Sequence, residues 1–335
     1  MFKKNNILVT GGAGFIGSAL CRNIVKNTNS DLIILDKLTY ASNIDSIKEL
    51  IEKKNVYFYH NSIGDTDFLD TLLVKHEPMS VFNLAAETHV DNSILNPSSF
   101  IQTNVLETHN FLKTILKYFL NLPKKYSSSF RFLHVSTDEV YGDIDKKLSG
   151  VDENYPYKPS SPYSASKAAS DHLVKAYFRT YGLPGIISNC SNNYGPFQHI
   201  EKFIPLIIRN LINNKKVPVY GDGLQVREWI YVDDHCDALL KLMEKGDPGE
   251  NYNIGSGIEL TNLDLIKNIS ICLKKNFYIK NLDVNYNINF IKDRLGHDRR
   301  YAINSNKTRK LCDWKPLVDL ETGLQKTISS YINMI

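Results

Sequence analysis

The chain has 335 residues, of which 42% are hydrophobic, and a formal net charge of +4. Its length suits one large α/β unit or two closely joined ones; its basic residues form no block, which argues against a nucleic-acid-binding surface. No apolar run approaches the length of a membrane span or a signal peptide. The five cysteines are scattered without metal or disulfide spacing, so we expect a cytoplasmic protein that acts neither on membranes nor on nucleic acids.

A glycine-rich turn follows the first predicted strand, residues 6–10. Gly11, Gly14 and Gly17 recur at every third position and lead into a helical pattern. This spacing lets the backbone turn tightly and approach a pyrophosphate closely, and it presents the positive end of a helix to that anion. The turn therefore predicts a dinucleotide-binding site.

The second predicted strand, residues 32–35, ends in an acidic residue, Asp36. It lies about twenty residues beyond the glycine turn, where a carboxylate can accept hydrogen bonds from ribose hydroxyls and repel a 2′-phosphate. This arrangement favours NAD over NADP as the cofactor. Lys37, the next residue, carries the opposite charge and leaves that preference open.

Predicted strands and helices alternate along the first half of the chain, which is typical of a parallel, doubly wound α/β sheet. We predict a Rossmann-type, NAD-binding domain over residues 1–188. A smaller α/β C-terminal lobe, mainly for substrate, is predicted over residues 189–335, with the chain free to cross between the two. Further strands are predicted at residues 56–59, 81–84, 131–136, 185–188, 217–220 and 229–232, and helices at 68–75, 100–120, 163–181 and 203–211.

Two adjacent carboxylates, Asp138 and Glu139, follow the apolar strand of residues 131–136. Open α/β sheets bind ligands beyond the carboxyl ends of their strands, so these side chains and Thr137 are predicted to face a crevice. Taken alone, the two carboxylates suit the cap of the next turn as well as they suit acid–base chemistry. The glycine turn upstream favours the second interpretation.

Tyr163 and Lys167 lie four residues apart at the start of a predicted helix, which places both side chains on one helical face. We expect the Lys167 ammonium to lower the pKa of the Tyr163 phenol. The tyrosine would then take a proton from an alcohol near neutral pH.

Five cations lie in different loops of the second half of the chain, an arrangement that suits a diphosphate better than a protein partner. The nine histidines include no metal-spaced pair on a readable helix, so we predict no metal site. The five cations are Lys202, Arg227, Arg294, Arg299 and Arg300.

Eight motifs are spread over nearly the whole chain. They are TGGAGFIGS (10–18), LDKLTY (35–40), LAAETHVD (84–91), VSTDEVYG (135–142), YSASKAASD (163–171), NCSNNYGP (189–196), EWIYVDD (228–234) and GHDRRYA (296–302). Together they resemble the extended short-chain dehydrogenase/reductase superfamily and, within it, the family of dTDP-glucose 4,6-dehydratases. The Thr-Asp-Glu run is the discriminating motif, because related nucleotide-sugar 4-epimerases share the fold and the Tyr/Lys pair but lack it.

The resemblance implies two sets of binding residues. Three positions depart from the family pattern: Ser62 stands where an aspartate near the adenine is expected, Asn92 where an arginine is frequent, and Leu295 where a proline is usual. The residues implied to bind NAD are Gly11, Gly14, Phe15, Ile16, Gly17, Asp36, Lys37, Leu38, Thr39, Ser62, Ile63, Leu84, Ala85, Ala86, Thr103, Ser136, Tyr163, Lys167 and Asn193. Those implied to bind the nucleotide sugar are Thr88, Thr137, Asn192, Lys202, Phe203, Pro218, Val219, Tyr220, Arg227, Asn262, Asp293, Arg294, His297 and Tyr301.

The resemblance also implies a reaction: dTDP-D-glucose becomes dTDP-4-keto-6-deoxy-D-glucose and water. It proceeds by oxidation at C4, elimination across C5 and C6, and return of hydride to C6 from bound NADH while C5 is reprotonated. Tyr163, assisted by Lys167, would take the C4 hydroxyl proton, and Thr137 would hold the C4 oxygen. Glu139 would remove the C5 proton, and Asp138, kept protonated by burial and its acidic neighbour, would protonate the leaving hydroxyl.

Other functions remain open at this point. They are, in falling order, a 4,6-dehydratase of UDP- or GDP-sugars, a nucleotide-sugar 4-epimerase, and a non-catalytic NAD-binding regulator. The resemblance further implies a homodimer packed through the helices around residues 100–120 and 163–181.

Overall fold

The structure is a computed structural model that describes residues 6–277 and 287–332. Its strands, in chain order, are β1 (Ile7–Thr10), β2 (Leu32–Asp36), β3 (Val56–His60), β4 (Ser80–Asn83), β5 (Arg131–Thr137), β6 (Gly185–Cys190), β7 (Asn192–Tyr194), β8 (Val217–Tyr220), β9 (Val226–Tyr231), β10 (Asn251–Ile254), β11 (Glu259–Thr261) and β12 (Ile288–Ile291).

The α-helices of the described residues are α1 (Phe15–Asn27), α2 (Lys48–Ile51), α3 (Thr66–His76), α4 (Val90–Leu95), α5 (Pro97–Phe100), α6 (Thr108–Leu120), α7 (Lys124–Ser127), α8 (Pro162–Tyr181), α9 (Phe203–Ile212), α10 (Val232–Lys245), α11 (Asn262–Phe277), α12 (Asn306–Cys312) and α13 (Leu320–Ile332). Short 3-10 helices cover Ile44–Ile47 and Asp138–Tyr141, and a π-helix, Ile101–Glu107, joins α5 to α6.

Seven strands form one parallel sheet in the order β10-β6-β5-β4-β1-β2-β3. The predicted doubly wound, Rossmann-type sheet is therefore confirmed. The strand order reverses between β1 and β4, and ligands of such sheets bind at this switch point, outside the carboxyl ends of the strands. Both the glycine turn and the end of β5 lie at that edge.

The sheet is covered on both faces, which explains why its central strands are mostly apolar. Side chains of a strand alternate between faces: Ile7 and Val9 of β1 join one core with α1 and α10, while Leu8 joins the other core with α3, α6 and α8. Parallel strands are joined by crossover connections whose helices pack on the faces of the sheet, which gives this double cover.

The edge strand β10 comes from the second half of the chain and pairs with β6, with Tyr252 opposite Ser188. The sequence analysis did not predict it, because it is half polar, with buried asparagines. Asn253 donates to the carbonyls of Val151 and Asn304, and these tertiary hydrogen bonds offset the cost of burying its polar side chain. The division at residues 188 and 189 stays a prediction, and it would assign β10 to the opposite lobe.

The rest of the second half forms a smaller lobe with its own core of residues from α9, α11 and α13. Its strands form two small sheets, β11-β9-β7 and β12-β8. Across residues 6–277 and 287–332, no helix combines the length and the apolarity that a membrane crossing requires.

Candidate active site

A cavity opens at the carboxyl ends of the central strands, between the sheet and the smaller lobe. All five predicted catalytic residues line it, and so do three further residues of the predicted substrate set, Thr88, Asn192 and Lys202. The predicted cofactor residues that line it are Gly11, Gly14, Phe15, Ile16, Gly17, Asp36, Lys37, Thr39, Ser62, Ile63, Leu84, Ala85, Ala86, Thr103, Ser136, Tyr163, Lys167 and Asn193.

The glycine turn is held against the end of β2 by the carboxylate of Asp36. Its Oδ2 accepts a hydrogen bond from the amide of Ala13 at 2.9 Å, and its Oδ1 accepts from the amide of Leu38 at 2.8 Å. A Cβ on Gly17 would lie 2.0 Å from the carbonyl oxygen of Gly11, so α1 can pack this closely on the turn only with glycine there. Leu38 itself packs against the core and does not line the cavity.

The two carboxylates begin the 3-10 helix that follows β5. Thr137 donates its hydroxyl to Oδ1 of Asp138 at 3.3 Å and accepts the amide of Glu139, also at 3.3 Å. The Thr137 hydroxyl therefore caps this helix, as the capping interpretation requires, while Asp138 and Glu139 line the cavity. The capping contact of Thr137 therefore leaves both carboxyl groups in the lining of the cavity.

Burial shifts the pKa of both carboxyl groups. Burial, and then the neighbouring Glu139 and Glu228, raise the pKa of Asp138 well above its ordinary value. This direction agrees with the expectation of a protonated Asp138. Burial also raises the pKa of Glu139, opposed by the positive charges of Arg294, Arg227 and Lys202.

Tyr163 and Lys167 lie on the first turns of α8, which starts with a capping box. Ser161 accepts the amide of Ser164 at 3.1 Å, and the Ser164 hydroxyl accepts the amide of Ser161 at 3.1 Å. Both Tyr163 and Lys167 are buried and face the cavity. The capping box thus fixes where the helix begins and how these side chains are aimed.

The expected lowering of the Tyr163 pKa is wrong for this structure. Burial raises the pKa of the phenol well above its ordinary value, and the negative charge of Glu139 raises it further. The Lys167 ammonium donates to the carbonyl of Val135 at 2.9 Å and approaches Nε2 of His134 at 3.4 Å. Lowering the phenol pKa therefore requires further positive charge in the cavity.

A buried polar network behind Lys167 was missed in the sequence. Asp171 lies one helical turn after Lys167, and its Oδ2 accepts from the hydroxyls of Ser136 at 2.8 Å and Tyr157 at 3.0 Å. Its Oδ1 lies 3.6 Å from Nε2 of His134, the ring that Lys167 approaches. The spacing of four residues between Lys167 and Asp171 was the available signal.

Three of the five predicted cations face Glu139, and two do not. Arg294, Arg227 and Lys202 each lower the pKa of Glu139 through their charge, and the Lys202 ammonium donates to the Thr88 carbonyl at 3.0 Å. The prediction is wrong for the other two: Arg299 forms a bidentate ion pair with Asp222, and Arg300 one with Glu259. Their guanidinium groups are already satisfied by carboxylates, which sequence spacing could not reveal.

The segment after Asp293 reaches the acid pair through Tyr301. The Tyr301 hydroxyl lies 3.5 Å from Oε2 of Glu139 and donates to Oδ2 of Asp298 at 2.7 Å. The Arg227 guanidinium stacks 4.2 Å from the centre of the Tyr301 ring and donates to the Asp298 carbonyl. Asp298, which sequence reasoning missed, therefore holds two predicted substrate residues in place.

The remaining predicted substrate residues lie in the smaller lobe, outside the lining of the cavity. His297 is paired with Asp293 at 2.7 Å, and its ring meets that of Tyr220 edge to face. Val219 is a correction, because the whole residue is buried in the core of the lobe and presents no surface to a ligand. Asn262 begins α11 and contacts Gln225, Phe203 begins α9, and Pro218 lies on β8.

The cavity fits a large polar ligand such as a dinucleotide together with a sugar. Within the described part of the chain, four buried polar atoms that line it have no hydrogen-bond partner, although buried polar groups are normally paired. With the glycine turn and Asp36 at one end, these atoms match a bound NAD and substrate. They are Oδ2 of Asp138, Oγ of Ser191, Oδ1 of Asn192 and Oε1 of Gln198. No group of three histidine, cysteine or acidic side chains suited to a metal ion occurs in residues 6–277 and 287–332.

We expect Asp138→Asn to stabilise the fold increasingly as the pH rises, while it lowers turnover. A carboxyl with a raised folded-state pKa contributes stability below its ordinary pKa, near about 3.9, and loses it as the pH rises through the raised value. The amide does not titrate, so the difference in thermal midpoint between the variant and the parent should grow from about pH 4 upward. Thermal unfolding across this range measures it. A difference that does not change with pH would contradict the raised pKa of Asp138.

Comparison with known proteins identifies the family. A sequence model described as GDP-mannose 4,6 dehydratase matches residues 8–327. A dTDP-glucose 4,6-dehydratase of Escherichia coli is 48% identical and is aligned over 98% of this chain and 93% of its own length. The crystal structure of a dTDP-glucose 4,6-dehydratase from Streptomyces venezuelae, with NAD bound, matches with a TM-score of 0.89 and 38% identity, covering 98% of this chain and 97% of its own.

The fold by itself does not separate the dehydratases from their relatives. The UDP-glucose 4-epimerase of Thermotoga maritima matches with a TM-score of 0.85 and 30% identity, covering 98% of this chain and 99% of its own. The sequence relatives do separate them, since the 48% identical enzyme is a dehydratase and is aligned along almost all of both chains. The resemblance read from the motifs is confirmed: the chain belongs to the family of dTDP-glucose 4,6-dehydratases.

Proposed function

We propose that this protein converts dTDP-D-glucose to dTDP-4-keto-6-deoxy-D-glucose and water, with a resident NAD. One observation carries the proposal: Asp138 and Glu139 are buried in the same cavity as Tyr163 and Lys167. Alcohol oxidation needs only the second pair. The first pair adds an acid and a base, which are the groups that removal of water requires.

NAD would be held by the glycine turn, Asp36 and the small residues Ala85 and Ala86. The two alanines leave room for a ligand that lies close to the backbone. When bound, NAD would supply a positively charged ring that can accept hydride from C4 of the sugar and later return it to C6. The net redox change is zero, so the protein needs no second redox partner.

The phenol of Tyr163 would take the proton of the C4 hydroxyl. Its raised pKa opposes this step, so the positively charged ring of a bound NAD would have to add to the charge of Lys167 on the same helix. The Thr137 hydroxyl, which lines the same cavity as Tyr163, would hold the C4 oxygen as negative charge develops there. His134 and Asp171 would hold Lys167 in position.

The acid pair would then remove water from C5 and C6. The C4 ketone makes the C5 proton acidic, and Glu139, whose burial raises its pKa while three cations oppose that rise, would take that proton. Asp138, whose raised pKa keeps it protonated, would give its proton to the departing C6 hydroxyl. The two carboxyl groups thus divide base and acid roles by environment.

The cation cluster of Lys202, Arg227 and Arg294 would bind the diphosphate. This cluster does not distinguish one nucleotide base from another, so the choice of thymine is based on the dTDP-glucose dehydratases to which the chain is similar.

A substrate assay tests the choice of base: the purified protein is incubated with dTDP-, UDP- and GDP-glucose without added NAD. We expect loss of one water, seen by mass spectrometry, from the dTDP-sugar first. A product of unchanged mass with inverted C4 would indicate an epimerase, and no reaction would indicate a non-catalytic binder.

We also propose a cytoplasmic homodimer. The helices around residues 100–120 and 163–181 expose Ile101, Leu106, Phe178 and Tyr181, although one face of each helix already serves the core. Two copies that pair these helices would cover this apolar surface. Sedimentation equilibrium tests it: a Leu106→Lys variant should dissociate, and a monomeric parent protein would contradict the dimer.

A further inference from the structure

A carboxylate stands beside Ser62, at the position where the resemblance expects the carboxylate of an aspartate. The Ser62 hydroxyl donates to Oε2 of Glu107 at 2.9 Å. Glu107 lines the cavity beside Ser62 and Ile63, at the end marked by Asp36. The cavity therefore contains a carboxylate at this end, supplied by a different part of the chain.

The backbone aims Glu107 inward. It is the last residue of the π-helix Ile101–Glu107, and π-helical segments are frequent at functional sites. Thr103, on the same segment, also lines the cavity and accepts a hydrogen bond from the Lys37 ammonium at 2.8 Å. That ammonium lies 3.6 Å from Oε2 of Glu107, so the carboxylate is fixed from both sides.

The loop after β3 makes room for this side chain. A Cβ on Gly64 would lie 2.8 Å from Cγ of Glu107, closer than real Cβ contacts come. The Gly64 amide donates to the Ser62 hydroxyl at 3.0 Å, which orients that hydroxyl toward Glu107. The small residues Ser62 and Gly64 and the long residue Glu107 thus form one unit.

We propose that Glu107 recognises the adenine of the cofactor by accepting a hydrogen bond from its exocyclic amine. This rests on the proposed function, because it assumes that NAD is the dinucleotide. Of the described contacts, those from Ser62 and Lys37 both use Oε2, so Oε1 is available to a ligand. The buried Ile63 provides an apolar wall beside it.

The test compares two cofactors that differ at this amine. In deamino-NAD, hypoxanthine replaces adenine, so an acceptor stands where NAD carries a donor. The Glu107 carboxylate can accept a hydrogen bond from the amine of NAD and is repelled by the carbonyl oxygen of deamino-NAD. With full-length protein freed of bound nucleotide, calorimetry should find NAD bound roughly tenfold or more tightly than deamino-NAD.

Three variants make the test specific to Glu107. Glu107→Ala should remove most of the preference for NAD, and Glu107→Gln, whose amide also donates, should bind deamino-NAD at least as well as NAD. The double variant Ser62→Asp, Glu107→Ala should regain the preference, since a carboxylate at residue 62 reaches the same place. Glu52→Ala, at an exposed position of the same lobe, is the matched control and should bind like the parent.

Three results would overturn the assignment. Equal affinity of the parent protein for both cofactors would do so, and so would an unchanged preference for NAD in Glu107→Ala. Binding of neither dinucleotide would overturn the cofactor proposal as well. The dehydratase assay uses the parent protein without added cofactor and does not test recognition of the adenine amine. Dehydratase activity together with equal affinity for NAD and deamino-NAD would therefore refute the role of Glu107 and leave the proposed function in place.

Discussion

Glu139→Gln is expected to lower turnover by roughly 10²–10⁴-fold, the range that a general base contributes, without blocking the first oxidation. The glutamine keeps the shape of the side chain but cannot take the C5 proton. Because the steps before proton removal need only Tyr163, Lys167 and Thr137, the C4 ketone should form and the reaction should stop there. Near-ultraviolet absorbance should show reduced nicotinamide accumulating on the enzyme when dTDP-glucose is added.

Exchange of the C5 hydrogen is the decisive measurement for this variant. In deuterium oxide, substrate recovered from the parent enzyme should carry deuterium at C5, and substrate from Glu139→Gln should not. Glu49→Gln, at an exposed position of the nucleotide-binding lobe, serves as the control and should behave as the parent. Rapid C5 exchange in Glu139→Gln would assign the base to another residue.

Tyr163→Phe is expected to lower turnover by a similar factor, roughly 10²–10⁴-fold, but at an earlier step. The ring and its packing against Phe100 remain, while the hydroxyl that would take the C4 proton is lost. Without the ketone, the C5 hydrogen is not acidic. Neither reduced nicotinamide nor C5 exchange should therefore appear, in contrast to Glu139→Gln.

The control for this variant lies on the same helix. Tyr181→Phe removes a hydroxyl at the exposed end of α8, far along the helix from the cavity, and should leave turnover unchanged. Reduced nicotinamide in Tyr163→Phe at the rate of the parent would show that another group takes the C4 proton. Thr137, which lines the same cavity, would then be the first candidate.

Local sequence signals were sufficient to predict the part of the candidate site that is built from residues adjacent in the chain. The glycine turn, Asp36, the Thr137–Glu139 run and the Tyr163/Lys167 pair each sit at the end of a strand or the start of a helix, and the sheet brings these ends together. The sheet topology brings these residues together, because the carboxyl ends of parallel strands lie at one edge of the sheet.

The parts that failed depend on contacts between distant segments. Arg299 and Arg300 are neutralised by Asp222 and Glu259, which no spacing rule connects to them. The raised pKa of Tyr163 follows from burial, which a helical spacing of four residues does not report. The helix predicted over residues 100–120 is interrupted by the π-helix Ile101–Glu107, whose last residue lines the cavity.

The edge strand β10 has a consequence for how the molecule is made. The sheet that carries the nucleotide cleft is completed by residues 251–254, which are synthesised after α9, β8 and β9 of the other lobe. Until they emerge from the ribosome, β6 presents an unpaired edge to other nascent chains. A gene fragment ending at residue 188 would expose that edge permanently, so aggregation is the expected fate of the isolated amino-terminal half.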